Sequence, residues 1–117
     1  MATILNSPQE VLFDSGSSIS SISQDLVARL NLSTSKAPPI RVLFGDHQRL
    51  YKSDTTAACT LKLGSTTIIH TFYVLPHQLF PLTLGCDWFI KSRAQLDFHT
   101  RHLTLPQARP VPLFTSK

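Results

Sequence analysis

Apolar residues along this chain come in short alternating runs, and few stretches sustain a helical period. Residues 57–63 and 67–75 are β-rich runs on either side of Gly64-Ser65, which predicts a hairpin. A second hairpin is expected where residues 40–44 and 49–51 flank Gly45-Asp46-His47-Gln48, with Gly45 able to take positive φ. A third would join residues 2–5 to residues 10–13 through Asn6-Ser7-Pro8-Gln9. Ile22, Leu26 and Leu30 recur at i, i+4, i+8 behind a Ser21/Gln24 capping box, predicting a helix over about residues 22–30. Residues 33–39 read as a loop, because Pro38-Pro39 excludes helix. Leu82-Thr83-Leu84 reads as a short strand ended by Gly85, and Asp87 as the cap of a short helix reaching Ser92. Residues 94–98 and 102–105 read as the last strands. The expected fold is a small, mostly β, mostly antiparallel domain over residues 1–106 with one or two short helices. A Pro-rich, linker-like tail over 107–117 follows.

Composition narrows the function classes. The chain has 117 residues, enough for one domain, and only 15% of them are charged, which argues against disorder. No apolar stretch approaches the roughly 20 residues of a membrane span, and the N-terminus lacks the layout of a signal peptide. Cys59 and Cys86 are therefore read as two reduced, buried thiols in an intracellular, cytoplasmic protein. The net charge of +4 resides wholly in residues 91–117. Its charges are spaced like those of a solvated face, so nucleic acid is not the expected partner.

The sharpest local signal is Val11-Leu12-Phe13-Asp14-Ser15-Gly16-Ser17-Ser18. An acid follows three apolar residues and precedes a Ser/Gly cluster. Taken alone, Asp-Ser-Gly is also an ordinary Asx-type turn ending a strand. About 70 residues on comes Leu82-Thr83-Leu84-Gly85-Cys86-Asp87-Trp88, then a short helix and Ala94-Gln95-Leu96-Asp97-Phe98, with a Gly-tipped hairpin between the two motifs.

This order resembles the retropepsins, the single-lobe aspartic proteases of retroviruses and LTR retrotransposons. The Gly-x-Asp-Trp ending is most like gypsy-type retrotransposons and genes domesticated from them. The resemblance covers about residues 2–105 and implies a closed β-fold, and it adds a virus-like particle as the other expected location. It further implies that Asp14 is the catalytic carboxylate, that Ser15 hydrogen-bonds across a dimer, and that Gly16 lets the backbone pass close to substrate. Residues 43–47, with Leu43, Phe44 and Gly45, would form a flap tip. Leu12, Ser17, Ile19, Phe80, Pro81 and Thr83 would line substrate pockets, and Leu82-Thr83-Leu84-Gly85 would pack under the Asp14 loop.

Peptide hydrolysis of this kind uses two carboxyl groups that share one proton, because like charges about 3 Å apart do not both ionise. The chain carries one Asp-Ser-Gly; Glu10, Asp25, Asp46, Asp54, Asp87 and Asp97 lack its setting. Activity would therefore require a homodimer with the site on its twofold axis, acting on a peptide or polyprotein. The mechanism calls for no metal or organic cofactor.

Several positions depart from the viral pattern. Only 13 residues precede Asp14, which leaves little chain for an additional interface strand. Viral members pair an Arg after the second-motif Gly with an Asp just beyond the catalytic triplet. Those positions are Cys86 and Ser18 here, leaving Asp87 to seek Arg29 or Arg41. The flap carries Gly45 but no Gly-rich run. His70/His77 and His99/His102 lack zinc-ligand companions, and Trp88 and Phe89 read as core. Three readings follow: an aspartic endopeptidase acting as a homodimer, a protease-like fold used for dimerisation or binding, and a basic nucleic-acid-binding β-domain.

Overall fold

A computed structural model of the chain describes residues 2–4, 7–14, 16–43, 50–76, 78, 80–106 and 110–113. Among these, the strands are β1 (Ala2–Ile4), β2 (Ser7–Gln9), β3 (Val11–Phe13), β4 (Ser21–Ser23), β5 (Thr34–Leu43), β6 (Leu50–Leu63), β7 (Thr66–Leu75), β8 (Leu82–Leu84), β9 (Gln95–Asp97), β10 (His102–Thr104) and β11 (Val111–Pro112). Two short helices interrupt them, α1 (Gln24–Arg29) and α2 (Cys86–Ser92). The main sheet runs β2-β1-β6-β7-β4-β8-β3, with β5 added against β6, and a small sheet β11-β10-β9 stands beside it. The result is mostly β, nearly closed and barrel-like.

The long hairpin β6–β7 is the spine. Ala57, Cys59, Leu61 and Leu63 are buried while Ala58, Thr60 and Lys62 are exposed, which is the period-2 pattern of a strand with one wet face. Gly64 turns the chain with φ of +57°, a conformation that suits glycine. The inner faces meet Ile4, Ile22, Leu26, Leu82, Leu84, Trp88 and Leu103 in one core.

Several sequence expectations are corrected. Residues 10–13 do not pair with β1; β2 does, with Pro8 opposite Thr3. Polar Ser7-Pro8-Gln9 reads as a turn, yet it forms an outer strand, where a missing N–H is tolerated. Apolar β3 is thereby released to run parallel to β8. β4 also runs parallel to β7, so the sheet is less uniformly antiparallel than expected. The expected loop over residues 33–39 belongs to strand β5. Its register shifts between Lys36 and Ile40, so the Pro38-Pro39 pair sits in an irregularity that asks for no ladder donor.

The first helix starts two residues later than expected. Residues 21–23 extend as β4, and the cap is Ser23, whose Oγ accepts from the Leu26 amide at 3.1 Å. Helix α2 begins at Cys86 with Gly85 in the cap position, so Asp87 lies inside the first turn. Within the expected tail, Val111 is buried and β11 pairs with β10. Neither cysteine forms a disulfide; Cys59 is buried and Cys86 only partly so.

Candidate active site

The two sequence motifs meet because β3 and β8 are paired. In their parallel register Phe13 lies opposite Leu84, so the next residues, Asp14 and Gly85, leave the sheet side by side. The Asp14 amide donates to the Leu84 carbonyl at 3.0 Å, which extends the ladder one step. Beyond it the chain turns: Ser17 N donates to Asp14 O at 3.1 Å, and Gly16 N donates to Asp14 Oδ1 at 3.0 Å. The carboxylate is thus oriented by its own turn and remains half-exposed. That is the geometry of an Asx turn; its setting against β8 and α2 distinguishes it from an ordinary one.

Gly85 makes this apposition possible. A Cβ there would collide with the Ile19 carbonyl oxygen and come within 2.7 Å of Ser17 O. Both are backbone atoms that cannot rotate away. Cys86 N in turn donates to Ser17 O at 2.7 Å. The apolar approach to Asp14 has its own anchor. The Phe13 ring lies 5.9 Å from Trp88 and 6.3 Å from Phe89, tying the strand that carries Asp14 to helix α2.

The far end of the loop is held by Asp87. Its Oδ1 accepts from Ser20 Oγ at 2.6 Å and from Trp88 N at 2.7 Å, and its Oδ2 accepts from Ser20 N at 3.1 Å. Ser20 Oγ also accepts from Gly85 N at 3.0 Å. The expected pairing of Asp87 with Arg29 or Arg41 is not found. Arg29 pairs with Asp25 one helical turn away, at 2.9 Å, while Asp87 faces His70, with Nε2 at 3.4 Å from Oδ2.

The other expected site residues fall as follows. Leu12 lies opposite Thr83, and Ser21 opposite Thr83 from the other side. Val11 and Phe13 pack against the core, whereas Leu12 is not among the residues that do. Leu12 and Thr83 therefore share the opposite face, next to Asp14. Ser17 Oγ donates to Ile19 O at 2.8 Å, making a compact half-buried loop. Phe80 and Pro81 are half-buried just ahead of β8. Gln78, which sequence reasoning did not single out, pins them: its Nε2 donates to Phe80 O at 2.7 Å and Pro81 O at 3.2 Å, and its Oε1 accepts from Ser21 Oγ. Leu43 pairs with Leu50 at the end of the β5–β6 hairpin. Ser15, Phe44, Gly45 and His77 lie outside the described residues.

Two cavities, of about 270 and 400 Å³, lie away from the Asp14 loop, one beside Trp88 and Lys91 and the other beside Ile4 and Cys59. Among the described residues no cluster of metal-ligating side chains occurs. No helix among them is long and apolar enough to cross a membrane.

The fold is a mostly β, nearly closed single lobe, with the Asp14 carboxylate set in a tight turn beside the glycine-mediated backbone crossing at Gly85. The sequence matches the retroviral aspartyl protease family over residues 1–110, and the chain belongs to that family. No curated protein matches the chain significantly. Among solved structures, the retroviral protease-like domain of Ddi1 from Leishmania major is similar, with a TM-score of 0.71 and 18% identity, covering 97% of this chain and 90% of that one. The protein Lpg0085 from Legionella pneumophila, of unknown function, is similar with a TM-score of 0.53 and 18% identity, covering 82% and 86%. At these identities the likeness is one of fold.

Proposed function

We propose that the chain is an aspartic endopeptidase whose catalytic centre forms when two copies bring their Asp14 carboxyls together. The observation that carries this reading is the interlock of the two motifs. Asp14 leaves β3 beside Gly85, its carboxylate is oriented by Gly16 N, and its loop is fastened to β8 and α2 by backbone and side-chain bonds. Such rigidity serves a group that must hold its position while a bond breaks. With one such carboxylate per chain, the second comes from a partner copy.

In this reading the ionised member of the pair takes a proton from water as the oxygen attacks the scissile carbonyl. The protonated member gives its proton to the carbonyl oxygen. Ser15 braces the opposing loop. Leu12, Ser17, Ile19, Phe80, Pro81 and Thr83 supply largely apolar subsites, and Leu43, Phe44 and Gly45 act as the flap that closes over the peptide. The Gly85-x-Asp87-Trp88 ending favours the gypsy-type or domesticated branch, and with it processing of a polyprotein.

Asp14→Asn tests the proposal. Asn keeps an oxygen that can accept from Gly16 N, so the fold is expected to survive, which thermal unfolding checks. Cleavage of a peptide library at mildly acid pH should fall to background, and wild-type sedimentation should reveal a dimer. Cleavage that persists in the variant, or a chain that stays monomeric at high concentration with a peptidomimetic inhibitor, overturns the reading.

A further inference from the structure

His70 is only 5% exposed, and neither ring nitrogen completes a hydrogen bond among the described residues. Burying an imidazole so poorly satisfied costs stability that an apolar residue of similar size would not cost. The ring stands edge-on to Phe72 at 5.2 Å, and its Nε2 is 3.4 Å from Asp87 Oδ2, in ion-pair range but off hydrogen-bond geometry. Asp87 is the carboxylate that holds Ser20, and Ser20 ends the loop that begins at Asp14. His70 therefore approaches the same Asp87 oxygen, Oδ2, that accepts from Ser20 N, although it is far from the candidate catalytic loop in sequence.

We propose that His70 is a positioning residue for the Asp14 loop: from β7 it fixes the Asp87 carboxylate against Ser20, and without it the loop loses its register over Gly85. The proposal rests on the endopeptidase reading for its effect on turnover, but the holding of the loop can be read without turnover. A neutral ring with its proton on Nε2 presents one donor toward Asp87 Oδ2.

The groups facing His70 come from three elements. Helix α2 contributes Asp87 and, one turn on, Lys91, whose Nζ donates to Ile69 O at 3.4 Å. Strand β6 places Cys59 opposite His70, and burial pushes its thiol up to about 11, so it stays neutral. The Asp14 loop contributes uncharged Ser20. Burial holds the imidazole below its ordinary value; Asp87 opposes that and Lys91 adds to it. The sign follows from linkage. The unfolded chain takes up the histidine proton near pH 6.5, and the folded chain only at lower pH. The His70 share of stability is thus fully present above that pH. It is lost progressively as pH falls toward the folded value.

The test compares His70→Leu, which fills space without a donor, and His70→Gln, which keeps an N–H donor and does not titrate. Expected at pH 7 is a fall in kcat of roughly tenfold for His70→Leu with KM little changed, as for a misplaced reacting group. His70→Gln should recover most of that loss. Both variants should flatten the pH dependence of the urea midpoint as pH falls below about 6.5. Equal kcat in His70→Leu and wild type, or a Gln variant no better than the Leu variant, overturns the proposal. Should wild type cleave nothing, the endopeptidase reading fails by itself. Amide exchange at Ser20 and Gly85 then decides: faster exchange in His70→Leu supports the positioning role, and unchanged exchange sinks it.

Discussion

Ser20 gives Asp87 both its amide and its hydroxyl, at 3.1 and 2.6 Å, across 67 residues of sequence. The same hydroxyl accepts from Gly85 N at 3.0 Å, so one small side chain joins the Asp14 loop, the end of β8 and helix α2. Viral relatives are expected to use an Arg–Asp pair at positions that are Cys86 and Ser18 here. This chain places its fastening at neighbouring residues, with a carboxylate bonded to neutral donors. Charge-assisted bonds of that kind are short and roughly twice as strong as neutral ones. Ser20→Ala removes a donor to a carboxylate and leaves Gly85 N without its acceptor in a buried place. The expected cost is about 2 kcal/mol in urea unfolding. An unchanged midpoint would mean that the loop is held by its backbone bonds alone.

Gly85→Ala should be more damaging than any truncation nearby. The added methyl meets the carbonyls of Ile19 and Ser17, both main-chain groups, so relief requires moving the loop or helix α2. The expected destabilisation lies at the upper end of the roughly 1–3 kcal/mol seen for overpacking. Because the displaced loop carries Asp14, peptide cleavage should fall further than the folded fraction does. Measuring kcat against the fraction folded by circular dichroism separates the two effects. Proportional losses would show that the crossing matters for folding and not for placing Asp14.

The part of this site that was legible in the sequence is the part made of contiguous signals. Asp14-Ser15-Gly16 and Gly85-x-Asp87-Trp88 announce themselves, and the expectation that residues 82–85 pack under the Asp14 loop matches the observed Gly85 crossing. The β6–β7 hairpin was readable because alternation and Gly64 agree on the same turn. What was not legible depends on apposition across the fold. Nothing local separates Ser20 from Ser17, Ser18 or Ser21, and His70 gains its meaning only when β7 meets α2. The course of β5 through Pro38-Pro39 was hidden for another reason. A bulge lets a strand contain residues that strand propensity rejects. Likewise β2 looked like a turn because its composition is that of one.

The C-terminal segment, which its prolines mark as a tail beyond a domain ending at residue 106, contributes a strand to the small sheet. Val111 lies opposite Leu103, a fully buried core residue, and Leu113 N donates to Arg101 O at 2.8 Å. Val111 Cγ2 also lies against Gly64, 3.3 Å from where a Cβ would stand, so the segment covers the β6–β7 turn. Truncation after Pro106 removes this cover but none of the bonds around Asp14. Burial of a valine side chain is worth about 1.5–3 kcal/mol, so the urea midpoint should fall by an amount equivalent to about 2 kcal/mol. Unfolding should stay cooperative, and Val111→Ser should reproduce most of the loss. If the truncated chain is as stable as the full one, β11 only lies on the surface. If it no longer unfolds cooperatively, the domain boundary at residue 106 is wrong and β11 belongs to the folding unit.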